Sequence, residues 1–97
     1  MIRHVVIGRL KPGVEEDAIR PVLDALARLA TPGLIDIRTG LDLGLKDGTW
    51  DLAITTDLED EAAYRAYDTD AEHDRIRRDE LLPLVAELVR VQFPVEP

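Results

Sequence analysis

The spacing of apolar residues changes five times along the chain, between the two-residue repeat of a β-strand and the wider repeat of a helix. Strand-like alternation occurs in "IRHVVIGRL" (2–10), "LIDIRTGLDL" (34–43), "WDLAITTDL" (50–58) and "ELVRVQF" (87–93). Helical spacing occurs in "VEEDAIRPVLDALARLA" (14–30) and "EDEAAYRAY" (59–67). The predicted order is therefore strand, helix, strand, strand, helix, strand.

This β-α-β-β-α-β order is typical of an α+β, ferredoxin-like fold, in which a four-stranded antiparallel sheet carries both helices on one face. A chain of 97 residues is long enough for one small core and too short for two, so we expect a single domain over residues 1–97. The turn "KDGT" joins the second and third strands into a hairpin. Because an interior proline removes a helical hydrogen bond, Pro21 predicts a kink or a late start in the first helix.

One face of the predicted sheet is left without helices. We place an apolar stripe on this open face, with a charged rim around it. The stripe is Val5, Ile7, Leu34, Ala53 and Leu88, and the rim is Arg3, Arg9, Asp36, Arg38 and Arg90. The residues expected to point toward the helices in the second strand are Ile35, Ile37, Leu41 and Leu43. An apolar stripe with a charged rim is typical of a partner surface, which favours a homodimer over a monomer.

Charge and composition exclude several classes of function. Twelve Lys and Arg against twenty Asp and Glu give a net charge of −8, which disfavours nucleic acid as a partner. The absence of cysteine excludes disulfides, thiolate nucleophiles and thiolate metal sites. No run of about 18 apolar residues occurs, so no membrane span is predicted. A cytoplasmic location fits these observations.

Two of the few aromatic and imidazole side chains lie in "YRAYDTDAEHDR" (64–75), where Tyr67 and His73 are six positions apart. On one continuous helix, six positions place two side chains about 120° apart around the axis, so they could not meet. The "TDAE" segment supplies a break, with Thr69 as a helix N-cap and Glu72 three residues later. A second helical piece beginning at Asp70 would then allow Tyr67 and His73 to converge.

Four segments in order resemble the Dabb family of stress-responsive α/β-barrel domains: "MIRHVVIGRLKPGVEED", "TPGLIDIRTGLDLG", "WDLAITTDLEDEAAYRAYDTDAEH" and "LLPLVAELVRVQF". The resemblance covers nearly the whole chain. It implies a dimeric α+β barrel formed by two sheets. Members include stress-associated proteins and a cofactor-free plant polyketide cyclase that acts by aldol condensation.

The resemblance to that cyclase implies three catalytic residues: His4 on the first strand, Tyr67 on the helix, and His73 at the end of a Y-x-x-H-P-x-H run. Two positions of the run differ, since Asp70 replaces its middle histidine and Ala71 its proline. The resemblance implies no cofactor. An apolar small molecule would be lined by residues that replace the aromatic residues of the cyclase pocket: Val6, Gly8, Val22, Leu23 and Leu26.

The chemistry open to such a cluster is acid/base chemistry, because a neutral imidazole can accept a carbon-bound proton and a phenol can hydrogen-bond an enolate oxygen. Each of the three residues also has a structural interpretation, as a helix-end, strand or core-edge residue. No spacing typical of a metal site is present, and the adjacent His73 and Asp74 point apart on a helix. Three functions therefore remain: a cofactor-free cyclase or lyase, a noncatalytic stress-response or assembly protein, and a cofactor-free monooxygenase-like protein.

Overall fold

The computed structural model describes residues 1–96 and confirms the α+β, ferredoxin-like fold. The regular elements are, in chain order, β1 (Ile2–Leu10), α1 (Glu16–Ala27), β2 (Leu34–Leu41), β3 (Leu52–Leu58), α2 (Glu61–Asp68), α3 (Ala71–Ile76) and β4 (Val85–Pro94). A π-helical turn (Arg77–Leu81) and a 3-10 turn (Leu82–Leu84) connect α3 to β4. The strands form one antiparallel sheet in the order β2-β3-β1-β4.

The core lies between the helices and one face of the sheet, which we call the inner face. Helix α1 supplies four buried apolar residues at helical spacing: Ile19, Val22, Leu23 and Leu26. The inner face of β3 supplies Leu52, Ile54 and Leu58, and β1 supplies Val6. Helix α1 begins at Glu16, and Pro21 lies inside it, so the helix accommodates the proline in its second turn. No helix within residues 1–96 is both long enough and apolar enough to cross a membrane.

The start of β2 departs from strict alternation. The pairing register with β3 shifts between Leu34 and Asp36, which leaves Ile35 as an extra residue with 52% of its surface exposed. Leu34 therefore packs against the core, and the prediction that it belongs to the open face is wrong. The predictions that Ile35 and Leu43 point inward are also wrong, since Leu43 lies beyond the end of β2 and is 82% exposed.

The two faces of β4 are reversed relative to the prediction: the residues predicted on the open face lie on the inner face. Leu88 is paired with Gly8 on the inner face, and a Cβ on Gly8 would lie 2.8 Å from the Leu88 Cδ2 atom. The placement of Leu88 and Arg90 on the open face is therefore wrong. The open face of β4 instead carries Val89, Val91 and Phe93, which are 42%, 54% and 42% exposed.

The resulting open face combines this row from β4 with Val5 and Ile7 from β1 and Ala53 from β3. At its edge, the Arg9 guanidinium lies over the ring of Trp50, 4.2 Å from the ring centroid. Trp50 borders a shallow depression together with Ile7 and Ala53.

One glycine fixes how closely α2 approaches the sheet. Gly33, in the turn before β2, has a φ of +79°, a conformation that residues with a Cβ rarely adopt. A Cβ at this position would lie 2.5 Å from the Cβ of Ala63. The glycine therefore allows the first turn of α2 to pack directly on the turn that leads into β2.

Candidate functional site

The site begins with His4, which β1 presents on the inner face. Its neighbours across the sheet are Thr56 on β3 and Gln92 on β4. His4 is 7% exposed, so the imidazole lies beneath the helical layer.

The chain breaks between Tyr67 and His73, as the sequence predicts, but the cap lies one residue later than predicted. Asp70 is the N-cap of α3, and its carboxylate accepts a hydrogen bond from the His73 backbone N–H at 2.9 Å. Thr69 is instead the C-cap of α2. Its hydroxyl bonds the Arg65 carbonyl, so it is not available to cap the next helix.

The break brings the three predicted catalytic side chains together. The Tyr67 and His73 rings stack with centroids 4.1 Å apart and planes at 23°. The His4 and Tyr67 ring centroids are 6.4 Å apart in an edge-on arrangement. Tyr67 and His73 are 3% and 7% exposed, so the cluster lies almost entirely within the protein.

Hydrogen bonds fix the orientation of each ring. The His73 Nδ1 atom donates to the Tyr67 carbonyl oxygen at 2.8 Å. The His4 Nδ1 atom lies 2.8 Å from the side-chain Nε2 of Gln92. The Tyr67 hydroxyl accepts a long hydrogen bond of 3.4 Å from the Thr56 hydroxyl.

A cavity of about 40 Å³ lies beside these groups, between the sheet and the helices. His4, Tyr67 and His73 line it together with residues from both layers. Those further lining residues are Val6, Leu26, Ile54, Tyr64, Asp68, Arg77, Leu81, Leu88 and Arg90.

Two of the five residues predicted to bind substrate, Val6 and Leu26, line this cavity. The other three lie elsewhere in the inner layer. Val22 and Leu23 are buried in the α1–sheet core, and Gly8 faces the side chains of Leu52 and Leu88.

Sequence reasoning missed the charged part of the lining. Asp68 and Arg77 enter it because α3 and the π-helical turn fold back along the end of α2. Arg90 enters it through the register of β4, where it is opposite Val6. The alternation of 85–94 could have indicated this, because Arg90 shares a face with Leu88 and Gln92.

Burial sets the protonation states of the cluster. It lowers the pKa of both His4 and His73 below their ordinary values, because the charged imidazolium loses hydration inside the protein. The positive charge of Arg90 lowers the pKa of His4 further, and that of Arg77 acts in the same direction on His73. Burial raises the pKa of the Tyr67 phenol. Near neutral pH, the cluster therefore consists of two neutral imidazoles and a neutral phenol.

Within residues 1–96, no three His, Asp or Glu side chains are grouped in a way that could hold a metal ion.

A ferredoxin-like sheet with a polar cluster beneath its helices defines the class of this protein as a small α+β domain with an inner site. The Stress responsive A/B Barrel Domain family, Dabb, matches residues 2–95, so the chain belongs to this family. This confirms the resemblance seen in the sequence.

Several solved structures share the fold. A dimeric ferredoxin-like protein of unknown function from Thermobifida fusca is 35% identical, with 97% of this chain and 90% of that chain covered and a TM-score of 0.89. A Dabb family protein from Mesorhizobium loti is 20% identical, with 99% and 97% covered and a TM-score of 0.77. The hydroxynitrile lyase from Passiflora edulis is 17% identical, with 98% and 93% covered and a TM-score of 0.82. No curated protein matches the chain.

Proposed function

We propose that this protein binds a small carbonyl compound in the inner cavity and moves a proton on it, using His73, Tyr67 and His4 without a cofactor. The observation that carries the proposal is the complementary state of the two histidines. One presents a proton acceptor to the cavity and the other presents a proton donor.

The acceptor is His73. A backbone carbonyl can only accept a hydrogen bond, so the contact with the Tyr67 oxygen requires the proton of the neutral ring to be on Nδ1. The Nε2 atom then has a free lone pair. Within residues 1–96, this Nε2 atom has no hydrogen-bond partner, and it is not fully buried. It therefore retains surface that a ligand can reach.

The donor is His4. The Gln92 side-chain N–H donates to His4 Nδ1, which leaves the proton of the neutral ring on Nε2. His4 can therefore donate a hydrogen bond toward the cavity while His73 accepts one. The His73 ring stacks on Tyr67 and the His4 ring meets it edge-on, and the Tyr67 phenol supplies a second donor.

This arrangement suits the removal of a proton from a carbon next to a carbonyl group. The proton passes to His73 Nε2, and its electron pair moves to the carbonyl oxygen. That oxygen accepts hydrogen bonds from His4 Nε2–H and the Tyr67 hydroxyl, which stabilise the enolate. Return of this proton to the carbon completes an exchange reaction. Attack of the enolate on a second carbonyl forms the carbon–carbon bond of an aldol reaction, and the proton held by His73 passes to the new alkoxide oxygen.

The cavity volume favours a small compound over a polyketide. A water molecule requires roughly 10–15 Å³ on this measure of cavity volume. The space of about 40 Å³ therefore holds about three waters, or an acyl group of about three non-hydrogen atoms. The similarity to the Passiflora lyase, at 17% identity, supports the fold alone, so the proposal depends on the cavity itself.

The assembly proposed with this function is a homodimer through the open face. Six apolar side chains form that face, and four of them are large and at least 37% exposed in the protomer: Ile7, Val89, Val91 and Phe93. A structure that is 35% identical over nearly the whole chain is described as dimeric. Burying this face against a second copy removes its apolar surface from water.

The test is exchange of carbon-bound hydrogen with deuterium from solvent, followed by proton NMR on pyruvate and its neutral analogue pyruvamide. Wild-type protein should accelerate exchange of the methyl protons of at least one of the two. His73→Asn should abolish this acceleration, because the Asn amide N–H can still donate to the Tyr67 carbonyl while the basic nitrogen is gone. Tyr67→Phe should reduce the acceleration by roughly tenfold to a hundredfold, as expected for loss of one donor to the enolate.

Arg65→Gln, an exposed change on α2, is the control and should exchange at the wild-type rate. Retained exchange in His73→Asn would contradict the role of His73 as a base.

A noncatalytic function is the second candidate, because the same His73 Nδ1 contact ties the last turn of α2 to α3. In that case His73→Ala should lower thermal stability, His73→Asn should restore it, and wild-type protein should exchange neither compound. The two variants of one residue therefore separate a structural histidine from a catalytic one.

A further inference from the structure

We infer that the substrate is a short oxo acid whose carboxylate binds Arg90 at the mouth of the inner cavity. This inference rests on the proposed function and names the substrate class of the same site. Arg90 lies on the inner face of β4, opposite Val6, whereas the sequence pattern predicts it on the open face.

The register of β4 holds Arg90 beside the cluster. Arg90 is opposite Val6, and Gln92, the next residue on the same face, is bonded to His4. Arg90 lines the cavity, and its charge acts on the His4 ring. Arg90 is an exposed residue that also lines the cavity, so it borders the cavity from the solvent side rather than being enclosed by it.

The charges of the lining do not balance without a ligand. Arg77 lies 3.4 Å from the Asp68 carboxylate and 3.1 Å from Asp74, so its charge is compensated. Arg90 forms no ion pair with any carboxylate in residues 1–96, whereas eight other arginines there do so. With both histidines neutral, Arg90 supplies an uncompensated positive charge to the cavity entrance.

The positive charge of Arg90 is opposite in sign to the net charge of the molecule. The chain carries a net charge of −8, so its long-range field repels anions. An anion reaching this site would be held by direct contact. The planar guanidinium matches a carboxylate through two parallel N–H···O bonds, which no neutral group of similar size can reproduce.

The size of the cavity then sets the rest of the ligand. With the carboxylate at Arg90, about three non-hydrogen atoms fit inside, which is the size of an acetyl group. Pyruvate has this composition. Its methyl proton would pass to His73 Nε2, and the electron pair would form the enolate. The protonated His73 would exchange this proton for a deuteron from solvent and deliver the deuteron to the same carbon, which restores the neutral imidazole.

The experiment compares pyruvate with pyruvamide, in which a neutral amide replaces the carboxylate. Dissociation constants are measured by NMR titration for wild-type protein, Arg90→Gln and Arg65→Gln. Wild type should bind pyruvate at least about tenfold more tightly than pyruvamide, as expected for a charge-assisted bidentate contact. Arg90→Gln should remove this preference by weakening pyruvate alone, and Arg90→Lys should restore part of it. Arg65→Gln removes the same charge from an exposed site and should change neither constant by more than about twofold.

The inference would be overturned if wild-type protein bound pyruvate and pyruvamide with equal affinity, or bound neither. It would also be overturned if Arg90→Gln weakened the affinity for both compounds equally. Different results decide the catalytic proposal and the oxo-acid inference. If pyruvate binds through Arg90 but no His73-dependent exchange occurs, the carboxylate site stands and the catalytic proposal falls. If pyruvamide exchanges as fast as pyruvate through His73, the catalytic proposal stands and the oxo-acid class falls.

Discussion

The two faces of the sheet differ in a way that β4 shows most clearly. On the inner face, β4 carries Leu88 and Arg90, which line the cavity, and Gln92, which is bonded to His4. On the open face, the same strand carries Val89, Val91 and Phe93, all partly exposed. In a strand with one solvated face, the apolar residues normally point to the core. Here the more apolar row points away from the helices.

This inversion means that neither face of β4 is an ordinary solvent face. The inner face is polar because it serves the cluster around His4, and the open face is apolar because, as proposed, a second copy covers it. The largest effects on self-association and stability should therefore come from substitutions that place a polar residue on the open face or remove an apolar residue from the inner face.

The first prediction concerns the open face and is expected to have the largest effect. Ile7→Asp would place an unpaired carboxylate in the proposed interface, at a cost of several kcal/mol. Analytical ultracentrifugation at micromolar concentration should show a wild-type dimer and a variant monomer. Leu82→Asp, at an exposed apolar residue outside the sheet, is the control and should remain dimeric. A monomeric wild type would contradict the proposed dimer.

The second prediction uses two positions on β4, one on each face, to separate the effects of the two faces. Leu88→Ala should destabilise the protomer by about 1–3 kcal/mol, because Leu88 packs against the core. Val91→Ala should weaken self-association and change the stability of the protomer by less than about 0.5 kcal/mol. Urea unfolding in the Ile7→Asp background isolates the protomer. The reverse ranking there would mean that the described register of β4 is wrong.

The third prediction concerns pH and has the smallest effect. Because the pKa values of His4 and His73 are lowered in the folded protein, the unfolded chain binds more protons once the pH falls below the ordinary histidine value of about 6.5. Stability contributed by the neutral rings is thus complete above that pH and is lost progressively below it. The slope should not exceed about 1.4 kcal/mol per pH unit for each histidine.

Urea midpoints measured from pH 8 to 5 test this sign, and His73→Asn should give a shallower dependence than wild-type protein. Stability that rises on acidification over this range would contradict neutral, buried histidines.

The fold could be predicted from sequence because each element has its own periodicity and the order of elements permits few topologies. The faces of individual strands were harder to predict. Leu88 and Val89 are adjacent and both apolar, so alternation in this strand defines two faces without identifying the one that meets the helices. At Ile35, a single extra residue shifts the register, and Leu34 moves to the opposite face from the one that strict alternation assigns.

The convergence of Tyr67 and His73 was predictable because a break in the helix was readable in "TDAE". The exact cap was not, since Thr69 and Asp70 are both good N-cap residues and tertiary packing selects between them. The contribution of Arg77 could not be foreseen, because it depends on the π-helical turn after α3. Arg90 depended on the orientation of β4, which the sequence pattern left ambiguous.

The contact between Arg9 and Trp50 gives the molecule a built-in optical reporter. Trp50 is the single tryptophan of the chain, and it borders the open face beside Ile7. Its fluorescence therefore originates from one place, where water and the guanidinium now share the ring's surroundings. Association of two copies across that face would replace some of this water with apolar side chains. The wavelength of maximum emission would then shift to shorter values on assembly, without any added label.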